Sequence, residues 1–267
     1  MRRPPHTPFR AGAPRFMPAL APIDPAVWLV PDSEAHVLDW KAGLLGQRGL
    51  VVRESGCAGE APPAAEAALA VEAALGAPVT GDLTAASHLV SDDLVVMERV
   101  DGAWICSALS LTAPTFFAID DVFGHDLRAL HGPVPDGARL ASRIARVFDH
   151  VREGQVLERF NWTLQAGPER FTPDAAPLRA LAACADTANA LDLLHLRVER
   201  QTISRLPQTG AVLFTIRVCL DSLAALSPAD RPLLAQAWRT LGPEGRAYKG
   251  WTALEALVEA AFSRWDV

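Results

Sequence analysis

The sequence predicts an α+β fold: a five-stranded antiparallel sheet with helices inserted after its second strand, and further helices toward both ends. Three observations carry this. Strand-like runs at 94–100 and 103–109 flank Asp101-Gly102, a favoured two-residue hairpin turn. Three more runs of alternating character follow, at 156–164, 194–204 and 211–220. Helical periodicity fills the gap between the hairpin and those runs, and returns after the last of them.

Taken in order, residues 1–25 read as an irregular arm, because Pro4, Pro5, Pro8 and Pro14 fix φ and remove donors. Residues 26–267 then read as one domain. Asp32 or Ser33 can cap a helix through Leu38, Trp40 and Leu44 that Gly46 stops. An Ala-rich stretch at 61–75, entered through Pro62-Pro63 and closed by Gly76, reads as the next helix. After the hairpin, 122–130 reads as a short helix. Leu140, Ile144, Val147 and Phe148 mark an amphipathic one over 137–153. A helical segment at 177–191 separates the third strand from the last two, which Leu206-Pro207-Gln208-Thr209-Gly210 joins. Helices near 228–241 and 250–265 close the chain. This element order is that of a PAS-like sheet.

Composition excludes several classes. Half of the 267 residues are hydrophobic and 21% are charged, so the chain can bury a core and is not disordered throughout. Its formal net charge of −6 and lack of basic runs argue against nucleic acid as a partner. No apolar stretch is long enough to span a membrane, and the Arg2-Arg3 start is not followed by a secretory apolar run. Cys57, Cys106, Cys184 and Cys219 form no C-x-x-C pair. An iron–sulfur cluster or thiolate zinc site in this chain is not expected, and the pattern suits a reducing cytoplasm. Of the 25 basic residues only Lys41 and Lys249 are lysines, a bias that suits a GC-rich genome.

The last three strands each carry an apolar and a polar row. Arg159, Asn161 and Thr163 oppose Phe160, Trp162 and Leu164. His195, Arg197, Glu199 and Gln201 oppose Leu194, Leu196 and Val198. Thr215, Arg217 and Cys219 oppose Phe214, Ile216 and Val218. Either the polar rows face water, as in an ordinary half-solvated sheet, or they line a pocket under the inserted helices. Their His, Glu, Asn, Gln and three Arg suit an anionic cofactor and a polar substrate. Trp162 and Phe214 read as core. Arg200 stands on the apolar face, where an arginine usually snorkels or pairs with a carboxylate.

Several stretches resemble the haem-dependent oxidative N-demethylase family. The most specific is Leu196-Arg197-Val198-Glu199-Arg200-Gln201-Thr202 with Leu206-Pro207 and Thr209 to Arg217. Pro22-Ile23-Asp24 with Trp28-Leu29, His131-Gly132-Pro133-Val134-Pro135, and Arg159 with Asn161-Trp162 agree in order. The chain departs from the family at 110–117, where Ser110 to Phe117 replace a Trp-bearing stretch.

The resemblance implies a PAS-like domain that holds haem b, activates O₂ and demethylates a small N-methyl amine. A carbinolamine would fall apart to formaldehyde and the smaller amine. Electrons would come from NAD(P)H through flavin and ferredoxin-type iron–sulfur partners, in keeping with the absence of a G-x-G-x-x-G motif here. His131 is the first choice as haem ligand and His195 the second; the other histidines read as structural or solvated. Glu199 and Arg197 are the catalytic candidates, Glu199 for an ammonium group or proton relay. Arg159, Asn161, Arg200 and Arg217 are the candidates for cofactor binding, arginine suiting propionates. A haem-binding sensor module, or a relative that has lost haem and serves as an interaction domain, are the alternatives.

Overall fold

The structure, a computed structural model, describes residues 3–29, 35–55 and 62–267. The capping candidates Asp32 and Ser33, the start of the second expected helix at Ala61, and Cys57 lie outside them. The fold is α+β, with seven strands among the described residues instead of five, in one antiparallel sheet ordered β1-β5-β6-β7-β3-β4-β2.

The two additional strands are short. β1 (Ala21–Ile23) lies inside the stretch expected to be irregular and pairs with β5. After α1 (Ala35–Leu45) and the one-turn α2 (Arg48–Val51), β2 (Val52–Glu54) pairs with β4. Three residues give too little alternation to be read from sequence. Both strands sit at the edges of the sheet, where short strands limit unwanted pairing.

α3 (Pro63–Leu75) ends on Gly76 in the left-handed conformation, as its sequence predicts. α4 (Leu83–Leu89), capped by Asp82, was not foreseen. The hairpin β3 (Asp93–Val100) and β4 (Ala103–Ser110) turns at Asp101 and Gly102, both at positive φ. α5 (Leu127–His131) and the amphipathic α6 (Gly137–His150) follow as the inserted helices. Then come β5 (Val156–Ala166), α7 (Ala176–Cys184), α8 (Ala190–Leu193), β6 (Leu194–Arg205) and β7 (Val212–Ser222). α9 (Arg231–Arg239), α10 (Pro243–Tyr248) and α11 (Glu255–Trp265) close the fold.

Helices cover both faces of the sheet. On one face, Trp162, Leu164, Leu196 and Val198 pack against Trp238, Trp251, Val258 and Phe262 of the C-terminal segment. Farther along that face, Leu94, Val96 and Leu213 pack against Ala67, Val71 and Leu83 of α3 and α4. On the other face, Val95, Met97 and Ile203 meet Leu127, Ala141 and Phe148 of the inserted helices. Two polar clamps fix the β6–β7 hairpin. Glu66 accepts the backbone N–H groups of Gln208 and Thr209 at 2.7 and 2.8 Å. Arg205 donates to the Val151, Phe148 and Gly210 carbonyls, tying the end of α6 to the hairpin.

Between the first two apolar clusters runs a buried polar seam. Arg217 makes two hydrogen bonds to Asp92 Oδ2, at 2.8 and 2.6 Å. Lys41, fully buried, donates from Nζ to the Asp92 carbonyl at 2.5 Å. Arg200 pairs with Glu158 at 2.5 Å and donates to the Trp28 and Val27 carbonyls at 2.7 and 3.0 Å. Trp28 Nε1 donates to Thr202 Oγ1 at 2.8 Å, and Thr202 shares a 2.7 Å bond with Thr215. These contacts seat residues 27–29 on the sheet.

Two predictions come from this seam. Removing one partner of a buried ion pair leaves a charge uncompensated, so Arg217→Met should cost about 3–5 kcal/mol of stability. Asp92→Leu combined with Arg217→Met should cost less than the two singles added. Urea titration of the three variants checks both. Burial pushes the Lys41 ammonium down to about 8, against the attraction of Asp93 and Asp92. The unfolded chain keeps that proton until about 10.4. The unfolded state therefore binds more protons between the two values, and this group raises stability as pH climbs through that window. Lys41→Met should show a smaller gain than wild type in denaturant melts at pH 8 and 10.

Candidate functional site

A cavity of about 810 Å³ lies between the sheet and the inserted helices. Its floor is built by strand alternation. Arg159, Asn161 and Thr163 come from β5, Glu199, Gln201 and Ile203 from β6, Phe214 and Ile216 from β7, and Asp93, Val95 and Met97 from β3. Register fixes this arrangement: Asn161 stands opposite Glu199, Arg159 opposite Gln201, and Gln201 opposite Ile216. The roof comes from Leu127, Leu130 and His131 of α5, Pro133 and Val134 after it, and Leu140, Ile144 and Phe148 of α6.

That register corrects the idea that all three polar rows share one pocket. On β7 the apolar residues Phe214 and Ile216 face the cavity, so Phe214 is a wall residue as well as core. Thr215 and Arg217 point to the opposite face, where Arg217 is engaged with Asp92. Arg200 also lies on that face, held by Glu158 and the 27–28 carbonyls. Two of the four residues expected to bind the cofactor, Arg200 and Arg217, therefore stand away from the cavity, while Arg159 and Asn161 line it. Trp162 is buried in the core on the far face.

Arg197 faces the cavity side yet lies beneath its wall, fully buried. It donates to Thr115 Oγ1 at 2.9 Å, to the Ala113 and Pro114 carbonyls at 2.7 and 3.1 Å, and to Gln165 Oε1 at 3.1 Å. Burial lowers its pKa to about 10, opposed by the attraction of Glu199 and Asp93, so it keeps its charge at neutral pH. Its partners make Arg197 the anchor of the 113–115 segment. That segment follows β4, and the cavity wall there is built by Leu111, Ala113, Thr115, Phe116 and Phe117.

Glu199 is 8% exposed and accepts three side-chain hydrogen bonds. Thr115 Oγ1 donates to Oε1 at 2.6 Å, while Asn161 Nδ2 and Gln201 Nε2 donate to Oε2 at 3.1 and 2.7 Å. Burial alone would raise this carboxyl, but the Thr115 hydroxyl, Lys249, Arg197 and Asn161 outweigh it and hold it below the usual carboxylate range. Lys249 donates to Asn161 Oδ1 at 2.9 Å and to the Trp162 carbonyl at 3.0 Å. A lysine only donates and a carboxylate only accepts, so the Asn161 amide is locked in one orientation between them. Burial lowers the Lys249 ammonium to about 8, with Glu199 opposing and Arg159 adding to the fall. Arg159 completes this charged end. Its Nε is buried and has no hydrogen-bond partner among the described residues.

Seven polar wall residues lie outside the candidate set read from the sequence: Arg15, Asp93, Thr115, Asp121, His125, Tyr248 and Lys249. His125 had been set aside as solvated; it is exposed and lies on the cavity wall. Tyr248 ends the short helix α10 and Lys249 follows it, remote in sequence from the sheet. The one signal was that Lys249 is one of two lysines among 23 arginines.

His131 lines the cavity and His195 does not. His131 Nδ1 lies 2.8 Å from the Leu127 carbonyl. A carbonyl only accepts, so Nδ1 carries the hydrogen and Nε2 holds the lone pair of the neutral ring. Burial lowers the imidazole pKa, with Leu127 opposing and the Arg159 charge adding, which keeps the ring neutral near pH 7. The turn after it is tight: a β-carbon on Gly137 would overlap the His131 carbonyl. Only glycine lets α6 start against the end of α5. His195 makes the equivalent bond to the Leu193 carbonyl at 2.9 Å, but at the outer end of β6.

The residues fit a haem on three counts. The cavity is within the ~300–1,000 Å³ of small-molecule sites. Its apolar walls offer packing for a flat macrocycle, and its neutral histidine has a fixed tautomer of the kind that binds metal. Among the described residues no helix is long and apolar enough to cross a membrane, and no cluster of three or more His, Cys, Asp or Glu side chains could hold a metal ion. A single axial histidine is outside that kind of cluster. A family model described as haem-dependent oxidative N-demethylase, alpha subunit-like, matches residues 68–258, which include β3 to β7, both inserted helices and Lys249. The chain belongs to the haem-dependent oxidative N-demethylase alpha subunit-like family.

Proposed function

We propose that this protein is a haem-dependent monooxygenase that demethylates a small N-methyl amine in the cavity under α5 and α6. The observation that carries the reading is the pairing, in one cavity, of a tautomer-fixed neutral His131 with a charged Glu199 end. The five long strands, in the order β5-β6-β7-β3-β4 with the helices inserted after β4, support a PAS-like core. Residues 26–267 would form that haem domain, the C-terminal helices included.

His131 would bind iron through Nε2, and the apolar walls would hold the macrocycle and exclude water. Haem b, when bound, supplies reductive activation of O₂ for oxidation of a C–H bond beside nitrogen. The remaining roles belong to the chain. Glu199 accepts three hydrogen bonds, and a carboxylate has about four acceptor positions. One position is left for an ammonium N–H. Its pKa, held low, keeps the carboxylate ionised when the amine arrives protonated. Asn161, Gln201 and Thr115 fix both carboxylate oxygens, so the substrate nitrogen is held at a defined height above the floor. Arg197 acts at one remove, as a positioning residue that holds Thr115. The electrons would come from NAD(P)H through flavin and ferredoxin-type partners, and the released carbon would leave as formaldehyde. A reducing cytoplasm suits such partners.

Two variants test this. His131→Ala should lose haem or shift its Soret band, while His195→Ala should keep both, as read by pyridine haemochrome and absorption spectra. A His131→Ala protein with full haem and an unchanged spectrum would refute the ligand assignment. Glu199→Gln keeps shape and removes charge. Its haem spectrum should stay close to wild type, while turnover of an amine falls by at least about tenfold, equal to roughly 1.4 kcal/mol in the transition state. Wild-type turnover in that variant would make Glu199 structural.

A further inference from the structure

The charged end of the cavity holds two opposite charges that decline to pair. Arg159 faces Gln201, and Glu199 stands two residues along the same strand, on the same face. Such diagonal neighbours lie about 7–8 Å apart at the backbone, within reach of long side chains. Opposite charges in that position usually meet. Here Glu199 takes Thr115, Asn161 and Gln201, and no ion pair joins it to Arg159 among the described residues. Arg159 is left with a buried Nε that has no partner. Leaving a buried charged donor unpaired is costly, so such a donor points to a ligand.

We infer that Arg159 and Glu199 together form a zwitterion site, and that the substrate class is an N-methyl amino acid. Its carboxylate goes to the Arg159 guanidinium and its methylammonium to Glu199. Arginine offers a planar fork that matches a carboxylate. Lys249 adds a second positive charge at this end, with two of its three N–H groups spent on Asn161 and Trp162. A simple dialkylamine would satisfy Glu199 and leave this cationic half with nothing to bind. A haem propionate has the same carboxylate chemistry as the substrate. The cavity wall also includes the exposed Arg15, which offers propionates a cation in contact with water. Burying a propionate against Arg159 would cost more than leaving it at that rim. The inference rests on the reading of Glu199 as the ammonium partner.

Isothermal titration calorimetry on the protein as purified, with N-methylglycine and dimethylamine as probes at pH 7, tests it without turnover. Wild type should bind N-methylglycine at least about tenfold more tightly than dimethylamine. Arg159→Gln should erase that preference while keeping dimethylamine affinity and haem content. Arg159→Lys, which keeps the charge and loses the fork, should narrow the preference and serves if the Gln variant does not fold. Wild type that binds both probes alike, or favours dimethylamine, overturns the inference. So does Arg159→Gln with the preference intact. Loss of haem in Arg159→Gln, with the remaining holoprotein still preferring N-methylglycine, assigns Arg159 to the cofactor and overturns it too. Failure of the demethylase reading would show separately, as bound N-methylglycine that yields no formaldehyde in the wild type.

Discussion

Strand β6 puts two arginines and a glutamate inside the protein, and most of the polar architecture follows from compensating them. The strand is central, covered by helices on both faces, so neither face offers water to a charge. Alternation sends Arg197 and Glu199 to the cavity side and Arg200 to the other. Each takes a different solution. Arg200 consumes a carboxylate and two carbonyls, which brings residues 27–28 onto the sheet. Arg197 consumes carbonyls and a hydroxyl from the segment after β4. Glu199 draws Thr115, Asn161 and Gln201 around itself and, through Asn161, Lys249 from the C-terminal helices. A buried ion that loses its partner is far more costly than a lost surface pair. Three segments distant in sequence are thereby held to one strand by charge as well as by apolar packing.

Both lysines of the chain belong to such networks. Lys41 is wholly buried beside Asp92, Asp93 and Arg217, and Lys249 is half-buried beside Asn161 and Glu199. The surface, by contrast, takes arginine throughout. A guanidinium is a broad planar fork, whereas an ammonium is a compact donor that can enter a narrow polar gap. At Asn161 Oδ1 and the Trp162 carbonyl, two acceptors converge on one nitrogen, a geometry that suits the ammonium.

The long elements were legible because their signals are local. Asp101-Gly102 fixes the first hairpin, the 3.6-residue period fixes α6, and Pro62-Pro63 with Gly76 brackets α3. The three-residue edge strands were not legible, since pairing alone defines them. Alternation correctly divided each of β5, β6 and β7 into two rows. What it could not give was which row of one strand shares a face with which row of the next. That depends on register across the hairpin, and one residue of register reverses the answer. Arg217 was misplaced for this reason. Arg159, Asn161 and Glu199 came together because β5 and β6 pair with odd-numbered residues opposite odd-numbered ones. Tyr248 and Lys249 arrive by tertiary packing, which no local pattern encodes.

The segment after β4 is pinned by buried charges of β3 and β6. Asp93 accepts hydrogen bonds from the Thr112 N–H and hydroxyl, at 2.6 and 2.7 Å, and from the Ala113 N–H at 2.9 Å. Arg197 holds the Ala113 and Pro114 carbonyls, and Glu199 holds the Thr115 hydroxyl. The backbone at Phe116 then adopts a positive φ of 67°, rare for a bulky residue, with its N–H on the Thr172 carbonyl at 2.8 Å. So the polar side of the segment is anchored to β3 and β6, while Phe116 and Phe117 face the cavity as wall. Side chains at those two positions can change in size without disturbing the hydrogen bonds that set the charged end. The division separates two tasks within six residues. Residues 112–115 keep Glu199 ionised and oriented, and residues 116–117 set how much room lies beside it. A change in the room beside Glu199 can therefore be made at 116–117 without touching the bonds that residues 112–115 make to Asp93, Arg197 and Glu199.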